Sequence, residues 1–159
     1  MTHHKEIIIY TDGASRGNPG PGGYGVILMF GKHRKELAKG FRHTTNNRME
    51  LMAVTEGLKA LKTTQLPVVI YSDSQYVVNA VTKGWLANWI KTGFKGKKNK
   101  DLWMQYYELA KPLNIRFVWV KGHADNAFNN RCDELATQAA DGGNLATDHG
   151  FEADGRAAV

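Results

Sequence analysis

The sequence predicts an α/β domain built on a mixed sheet, and three observations carry that prediction. Two apolar runs, Ile7–Tyr10 and Tyr24–Phe30, and a hairpin turn leading into a further strand to about Arg42 come before any helical period appears, which gives three consecutive strands. From Asn47 the apolar period changes to a helical one. Two further short apolar runs, Val68–Tyr71 and Ile115–Val120, each lead into another helical segment. Strands that first run back and forth and then alternate with helices call for a sheet that is antiparallel at one end and parallel at the other, with helices on one face or both.

The first strand is Glu6-Ile7-Ile8-Ile9-Tyr10-Thr11-Asp12-Gly13, a buried run ending in a carboxylate beside a glycine. Ser15 to Gly23 is a dense turn signal. Gly20 to Gly25 matches the dinucleotide pattern G-x-G-x-x-G, but that pattern must open a helix, whereas Tyr24 to Phe30 continues as a second strand. The cofactor reading is therefore rejected. Gly31-Lys32-His33 makes a hairpin turn into a third strand from about Arg34 to Arg42. Leu51, Val54, Leu58 and Leu61 then mark a helix, with Asn47 and Glu50 at capping-box spacing. The strand Val68–Tyr71 passes through Ser72-Asp73-Ser74 into a helix carrying Val77, Val78 and Val81. Lys83–Lys91 gives a short amphipathic helix, followed by a basic loop to Lys100 and a helix marked by Leu102, Tyr106 and Leu109 that ends before Pro112. The last strand leads through Lys121-Gly122-His123 to a helix from about Asn129 with Cys132, Leu135, Ala136 and Ala139 inward. Gly142 to Val159 has little periodicity and is expected to be an extended or mobile tail.

At 159 residues the chain fits one domain with one core. A mean hydropathy of −0.43 and the lack of a long apolar run exclude a membrane span, and the first residues lack a signal peptide's apolar core. The single cysteine, Cys132, excludes an intrachain disulfide; a cytoplasmic location is expected. The formal net charge is +6, and its excess is uneven: residues 83–100 hold six lysines and no acid. Such a segment suits a polyanionic partner, nucleic acid above all, against the alternative of a solvated lysine-rich face. Trp85 and Trp89 lie within it, either as packing residues or with one facing a nucleic-acid backbone.

Four acids stand at element boundaries: Asp12, Glu50, Asp73 and Asp133. Each has an ordinary local explanation. Glu50 can close a capping box, Asp73 can cap a helix, and Asp133 can meet a helix dipole in the first turn. If the strands of Asp12 and Asp73 are neighbours, however, the acids meet at one rim, together with the loop of His123. Converging carboxylates repel unless divalent cations lie between them, and hard oxygen donors favour Mg²⁺ or Mn²⁺ over Zn²⁺. Beside a lysine-rich flank, that is the arrangement of two-metal phosphodiester hydrolysis.

Thr11-Asp12-Gly13, Gly17-Asn18-Pro19-Gly20-Pro21-Gly22-Gly23-Tyr24-Gly25 and Thr44-Thr45-Asn46-Asn47-Arg48-Met49-Glu50-Leu51 resemble ribonuclease H of the bacterial type 1 family. So do Asp73-Ser74-Gln75-Tyr76-Val77, Asp101-Leu102-Trp103, Trp119-Val120-Lys121-Gly122-His123-Ala124 and Asn129-Asn130-Arg131-Cys132-Asp133-Glu134-Leu135-Ala136, in the family's order from about Glu6 to Ala140. The resemblance implies a ribonuclease H-like fold: a five-stranded mixed sheet, three antiparallel strands then two parallel, flanked by helices. It implies a catalytic domain over residues 1–141, with a basic protrusion at about 83–100 and a tail over 142–159. It implies hydrolysis of the RNA strand of RNA–DNA hybrids, with 5′-phosphate and 3′-hydroxyl products and two Mg²⁺ per site in the substrate complex, Mn²⁺ being an alternative.

By the same resemblance Asp12 bridges both ions, Asp133 helps hold the ion that activates water, and Glu50 and Asp73 hold the ion at the leaving group. His123 assists proton transfer or product release. Asn18, Asn46, Asn47 and Gln75 match positions that meet the hybrid's minor groove, Thr45 and Asn99 a pocket for a DNA-strand phosphate, and Trp85 an aromatic of the DNA channel. Lys95, Lys97 and Lys98 belong to the protrusion. Three departures stand out. His43 replaces a phosphate-pocket arginine, the loop from Lys95 to Asn99 is short, and Asn130 replaces a frequent glutamate. A monomer that binds hybrid and no membrane is expected. The competing readings are a hybrid-binding module without catalysis and a DNA-acting nuclease of the same fold; the presence of all four acids opposes the first, and Asn46, Asn47, Gln75 and the protrusion oppose the second.

Overall fold

In the computed structural model, residues 6–122 and 126–157 are described, and side chains through Ala153. Strands β1 (Ile7–Ser15), β2 (Gly20–Phe30) and β3 (His33–Thr44) form an antiparallel meander; β4 (Val68–Ser72) and β5 (Ile115–Trp119) add in parallel, giving the order β3-β2-β1-β4-β5. The sheet is thus the five-stranded mixed one expected. Helices α1 (Asn46–Lys59), α2 (Gln75–Thr82), α3 (Trp85–Lys91), α4 (Lys100–Ala110), α5 (Ala127–Ala140) and α6 (His149–Ala157) complete it.

Alternation along the strands sorts the core into two layers. Ile7, Ile9, Val26 and Leu28 meet α1 and the helices around it, and Trp103, Leu102 and Tyr106 of α4 extend this larger cluster. Tyr10, Ile27 and Cys132 form a smaller cluster on the opposite face, under α5. Glycines set how closely α5 lies on the sheet. A Cβ on Gly25 would stand 2.3 Å from the Cys132 carbonyl oxygen, and one on Gly23 would stand 2.5 Å from that of Ala136. The glycine-rich segment therefore belongs to the sheet: β2 begins at Gly20, where the sequence places a turn up to Gly23, because Ala14 and Ser15 pair with Gly23 and Gly22.

Three local expectations change. The cap of α1 is Thr45, whose hydroxyl accepts from the Arg48 amide, so Asn47 and Glu50 form no capping box. Ser74 caps α2, which frees Asp73 from that role. Asn126 caps α5, so Asp133 lies in the second turn of the helix rather than the first, beyond the end where the dipole acts.

The C-terminal segment differs most from its expectation. It is neither extended nor detached: Ala146 pairs with Phe41 at the edge of β3, and His149–Ala157 is helical. The reason is a buried ion network. Arg48 donates from Nε and Nη2 to Asp148 at 2.8 and 3.0 Å, and from Nη1 and Nη2 to Asp101 at 2.8 and 2.7 Å. Asp148 accepts also from the Thr44 hydroxyl and from the Phe151 amide, which makes it the N-cap of α6. Arg42 adds a two-pronged pair with Glu152.

Removing one partner of a buried ion network leaves the others unpaired. Arg48→Met is expected to cost about 3–5 kcal/mol, lowering the thermal midpoint by on the order of 10 °C for a domain of this size. A calorimetric midpoint unchanged by the substitution would show that the network carries no net stability.

Candidate active site

Strand register brings the acids together. In the parallel pair of β1 and β4 the last partners are Thr11 and Ser72, so Asp12 and Asp73 follow side by side at the same edge. Ser72 also pairs with Trp119, and the Val120 amide donates to the Ser72 carbonyl, so the segment leaving β5 emerges there too. The carboxyl ends of three neighbouring parallel strands thus face one rim, the usual ligand position of such sheets.

Glu50 arrives from α1, and Gly13 is what lets it. A Cβ at Gly13 would lie 2.3 Å from the Glu50 nitrogen and 2.4 Å from the Met49 carbonyl carbon. With only hydrogen there, the second turn of α1 rests on the β1 backbone. The Gly13 amide then donates both to Asp12 Oδ1, at 2.9 Å, and to Glu50 Oε1. On the other face Asp12 lies opposite Gly25, the glycine that admits α5 and with it Asp133. Asp73 is half-buried; its carbonyl accepts from the Trp119 indole at 3.2 Å, and Gly122 passes beside its carboxylate.

Asp12, Glu50 and Asp73 each offer a carboxylate oxygen, and these oxygens lie within 4.8 Å of one another. Asp12 and Glu50 are only 5% and 6% exposed. Burial first, then the charges of Asp73 and Asp133, push the Asp12 carboxyl up to about 7, against the opposing hydrogen bonds from Glu50 and Gly13. Burial and the neighbouring Asp12 and Asp73 hold Glu50 well above the carboxylate range. The hydrogen bond between them lowers Asp12 and raises Glu50, as expected of a coupled pair that shares a proton. Asp133 stands outside the close trio and acts on it through its charge.

This donor set fits a hard divalent cation. It is all carboxylate, three hard oxygen donors within reach of one ion, and no ion pair to a basic side chain occupies it among the described residues. His123 lies outside the described residues.

Five of the remaining site residues line one hollow, and Asn46, His43, Gln75, Trp85, Lys95 and Lys97 are not among its lining residues. Asn18, Thr45, Asn47, Lys98, Asn99 and Phe151 line a cavity of about 480 Å³ at the start of α1. Asn18 Oδ1 accepts from the Asn46 amide, tying the β1–β2 turn to that helix. Asn99 accepts from Arg48 and donates to the Tyr76 hydroxyl. Asn46, Asn47 and Gln75 are exposed at helix starts. Of the two tryptophans, Trp89 packs among Tyr76, Phe94 and Trp103, whereas Trp85 is 41% exposed. All six lysines of residues 83–100 are exposed. His43 lies outside the cavity lining, its ring 5.2 Å from that of Phe151. Phe151 and Arg48 are cavity residues absent from the sequence-based site. The one sequence signal for Phe151 is an aspartate three residues before it, in N-cap position.

Residues 4–141 match the family profile described as RNase H. A ribonuclease H of Syntrophus aciditrophicus is 53% identical over 92% of this chain and 87% of its own. That of Rippkaea orientalis is 49% identical over 95% of each. Among solved structures, LC9-RNase H1, a type 1 RNase H with the type 2 active-site motif, superposes with a TM-score of 0.76 at 30% identity, covering 88% of this chain and 74% of its own. LC11-RNase H1 in complex with RNA/DNA hybrid gives 0.66 at 28% identity, covering 85% and 96%.

Because the folded protein binds protons at Asp12 and Glu50 more tightly than the unfolded chain, stability from this pair is complete below the ordinary carboxylate range and is lost as pH rises through the raised values, about 7 for Asp12. In chelator, the midpoint is expected to fall as pH rises from 5 to 8, by at most about 1.4 kcal/mol per pH unit per proton. Asp12→Asn should flatten that slope and raise the midpoint above pH 7. Parallel pH profiles for the two proteins would refute the shared proton.

Proposed function

The chain belongs to the RNase H family, and on that premise we propose that it is an endoribonuclease cleaving the RNA strand of RNA–DNA hybrids to 5′-phosphate and 3′-hydroxyl ends. The observation that carries this reading is the convergence of Asp12, Glu50 and Asp73 at one rim of the sheet. The hybrid bound to the similar LC11-RNase H1 supports the choice of substrate.

In this reading Asp12, Glu50, Asp73 and Asp133 hold two Mg²⁺, or Mn²⁺ in their stead. When bound, those ions would polarise the scissile phosphate, lower the pKa of an attacking water and stabilise the leaving oxygen. The protein's own contribution is rigidity. Asp12 is anchored through Gly13 at the end of a buried strand, and Glu50 through the same amide, so neither can turn away to escape repulsion. His123 assists proton transfer or product release. Asn18, Asn46, Asn47 and Gln75 read the minor groove, where 2′-hydroxyls mark the RNA strand. Thr45, Asn99 and Lys98 receive a DNA-strand phosphate in the cavity at the start of α1. Trp85 packs on the DNA strand. Lys95, Lys97 and Lys98 add affinity that is independent of sequence and sensitive to salt. A catalytic domain over residues 1–141 carries all of these groups. No helix among the described residues is long and apolar enough to cross a membrane. The buried single cysteine suits a reducing cytoplasm.

Asp12→Asn is expected to lower Mg²⁺-dependent cleavage of labelled hybrid by at least about a thousandfold, some 4 kcal/mol of transition-state stabilisation, with hybrid affinity within a few-fold. Substantial residual cleavage would remove Asp12 from its role. Replacing Lys95, Lys97 and Lys98 by Gln should reduce the steepness of log Kd against log salt by about 0.7–0.9 for each phosphate that is no longer neutralised. An unchanged slope in a binding titration would take the loop out of the interface.

A further inference from the structure

We infer that the C-terminal helix α6 is part of the hybrid-binding surface, with Phe151 as the wall that gives the cavity at the start of α1 its affinity for a DNA-strand phosphate. This rests on the proposed function and extends it to a segment beyond the family match, which ends at residue 141.

The first support is placement. Phe151 lines the same hollow as Thr45, Lys98 and Asn99, and its ring leans on His43 at an interplanar angle of 57°. The second is anchoring. Asp148, 2% exposed, is held by Arg48 and Thr44 and caps the helix, while Glu152 is held by Arg42. The close fit extends to Gly150, where a Cβ would stand 2.0 Å from Asp101 Oδ2 and 2.7 Å from Arg48 Nη2. Phe151 is thus fixed from both sides along the chain.

The third support is charge. Arg48 borders the cavity, yet its guanidinium is buried and committed to two carboxylates. The cation left to face an anion there is Lys98, helped by the neutral donors of Thr45 and Asn99. Neutral hydrogen bonds to an anion are weak when water competes and strong when it is kept out. An aromatic wall that closes one side of the hollow is the element that keeps water out. The occupant it favours is a phosphodiester with its apolar deoxyribose against the ring.

The test uses the full chain with a fluorescent hybrid in Ca²⁺, so that binding is read without turnover. Phe151→Ala should weaken binding roughly 5- to 20-fold, and raise KM with kcat within about twofold in Mg²⁺. Its melting midpoint should stay within a few degrees of the parent's, and Phe151→Leu should restore most of the affinity. In a series of hybrids carrying one methylphosphonate in the DNA strand, the parent should lose affinity at one position, and Phe151→Ala should lose markedly less there. Unchanged affinity in Phe151→Ala, an undiminished methylphosphonate effect, or a loss that follows a collapsed melting midpoint without rescue by Leu would each overturn the inference. Failure of the parent protein to bind or cleave hybrid would instead overturn the proposed function, and this inference with it.

Discussion

The candidate site depends on one close approach, that of α1 to β1 at Gly13. The helix can carry Glu50 to Asp12 only because residue 13 has no side chain, and the one amide at that residue then serves both carboxylates. Everything else follows from strand register. Parallel pairing of β1 with β4 sets Asp73 beside Asp12, and pairing of β4 with β5 sends the next segment past the same place. On the opposite face Gly23 and Gly25 do for α5 what Gly13 does for α1, and so bring Asp133 within electrostatic reach.

Rigidity gives this geometry its chemical meaning. Carboxylates on flexible loops would separate and hydrate; Asp12 and Glu50 are fixed on a buried strand and a buried helix, and burial together with their mutual repulsion favours their protonated forms. A divalent cation offers a second relief, and binding it exchanges proton for metal. The same principle, with the sign of charge exchanged, operates at the same end of α1, two residues before Glu50. There a buried guanidinium is satisfied by Asp101 and Asp148, and the network ties a C-terminal helix to the body of the domain.

Much of this was legible in the sequence. Three strands, then helices alternating with strands, were visible in periodicity, and the sheet order agrees with them. The acids were visible as residues, but their local explanations could not be dismissed from spacing alone. Thr45, Ser74 and Asn126 hold the caps, because each offers its side-chain oxygen one residue outside its helix, and that frees Glu50, Asp73 and Asp133 from local duties. The C-terminal helix was hidden for a physical reason. His149, Gly150 and Asp154 are poor helix formers, and the segment is helical because of Arg48, a hundred residues away, rather than through its own propensity. Long-range partners of this kind leave no periodic trace. Phe151 enters the cavity by the same route.

The central claim is that the carboxylate trio holds a proton that a divalent cation displaces. Calorimetric titration of Mg²⁺ into the hybrid-free protein at pH 6, in buffers of different ionisation enthalpy, counts the protons released. Proton release on ion binding is expected, smaller at pH 8.5 than at pH 6 and reduced in Asp12→Asn. Binding without proton release at pH 6, or binding unaffected by Asp12→Asn, would contradict it.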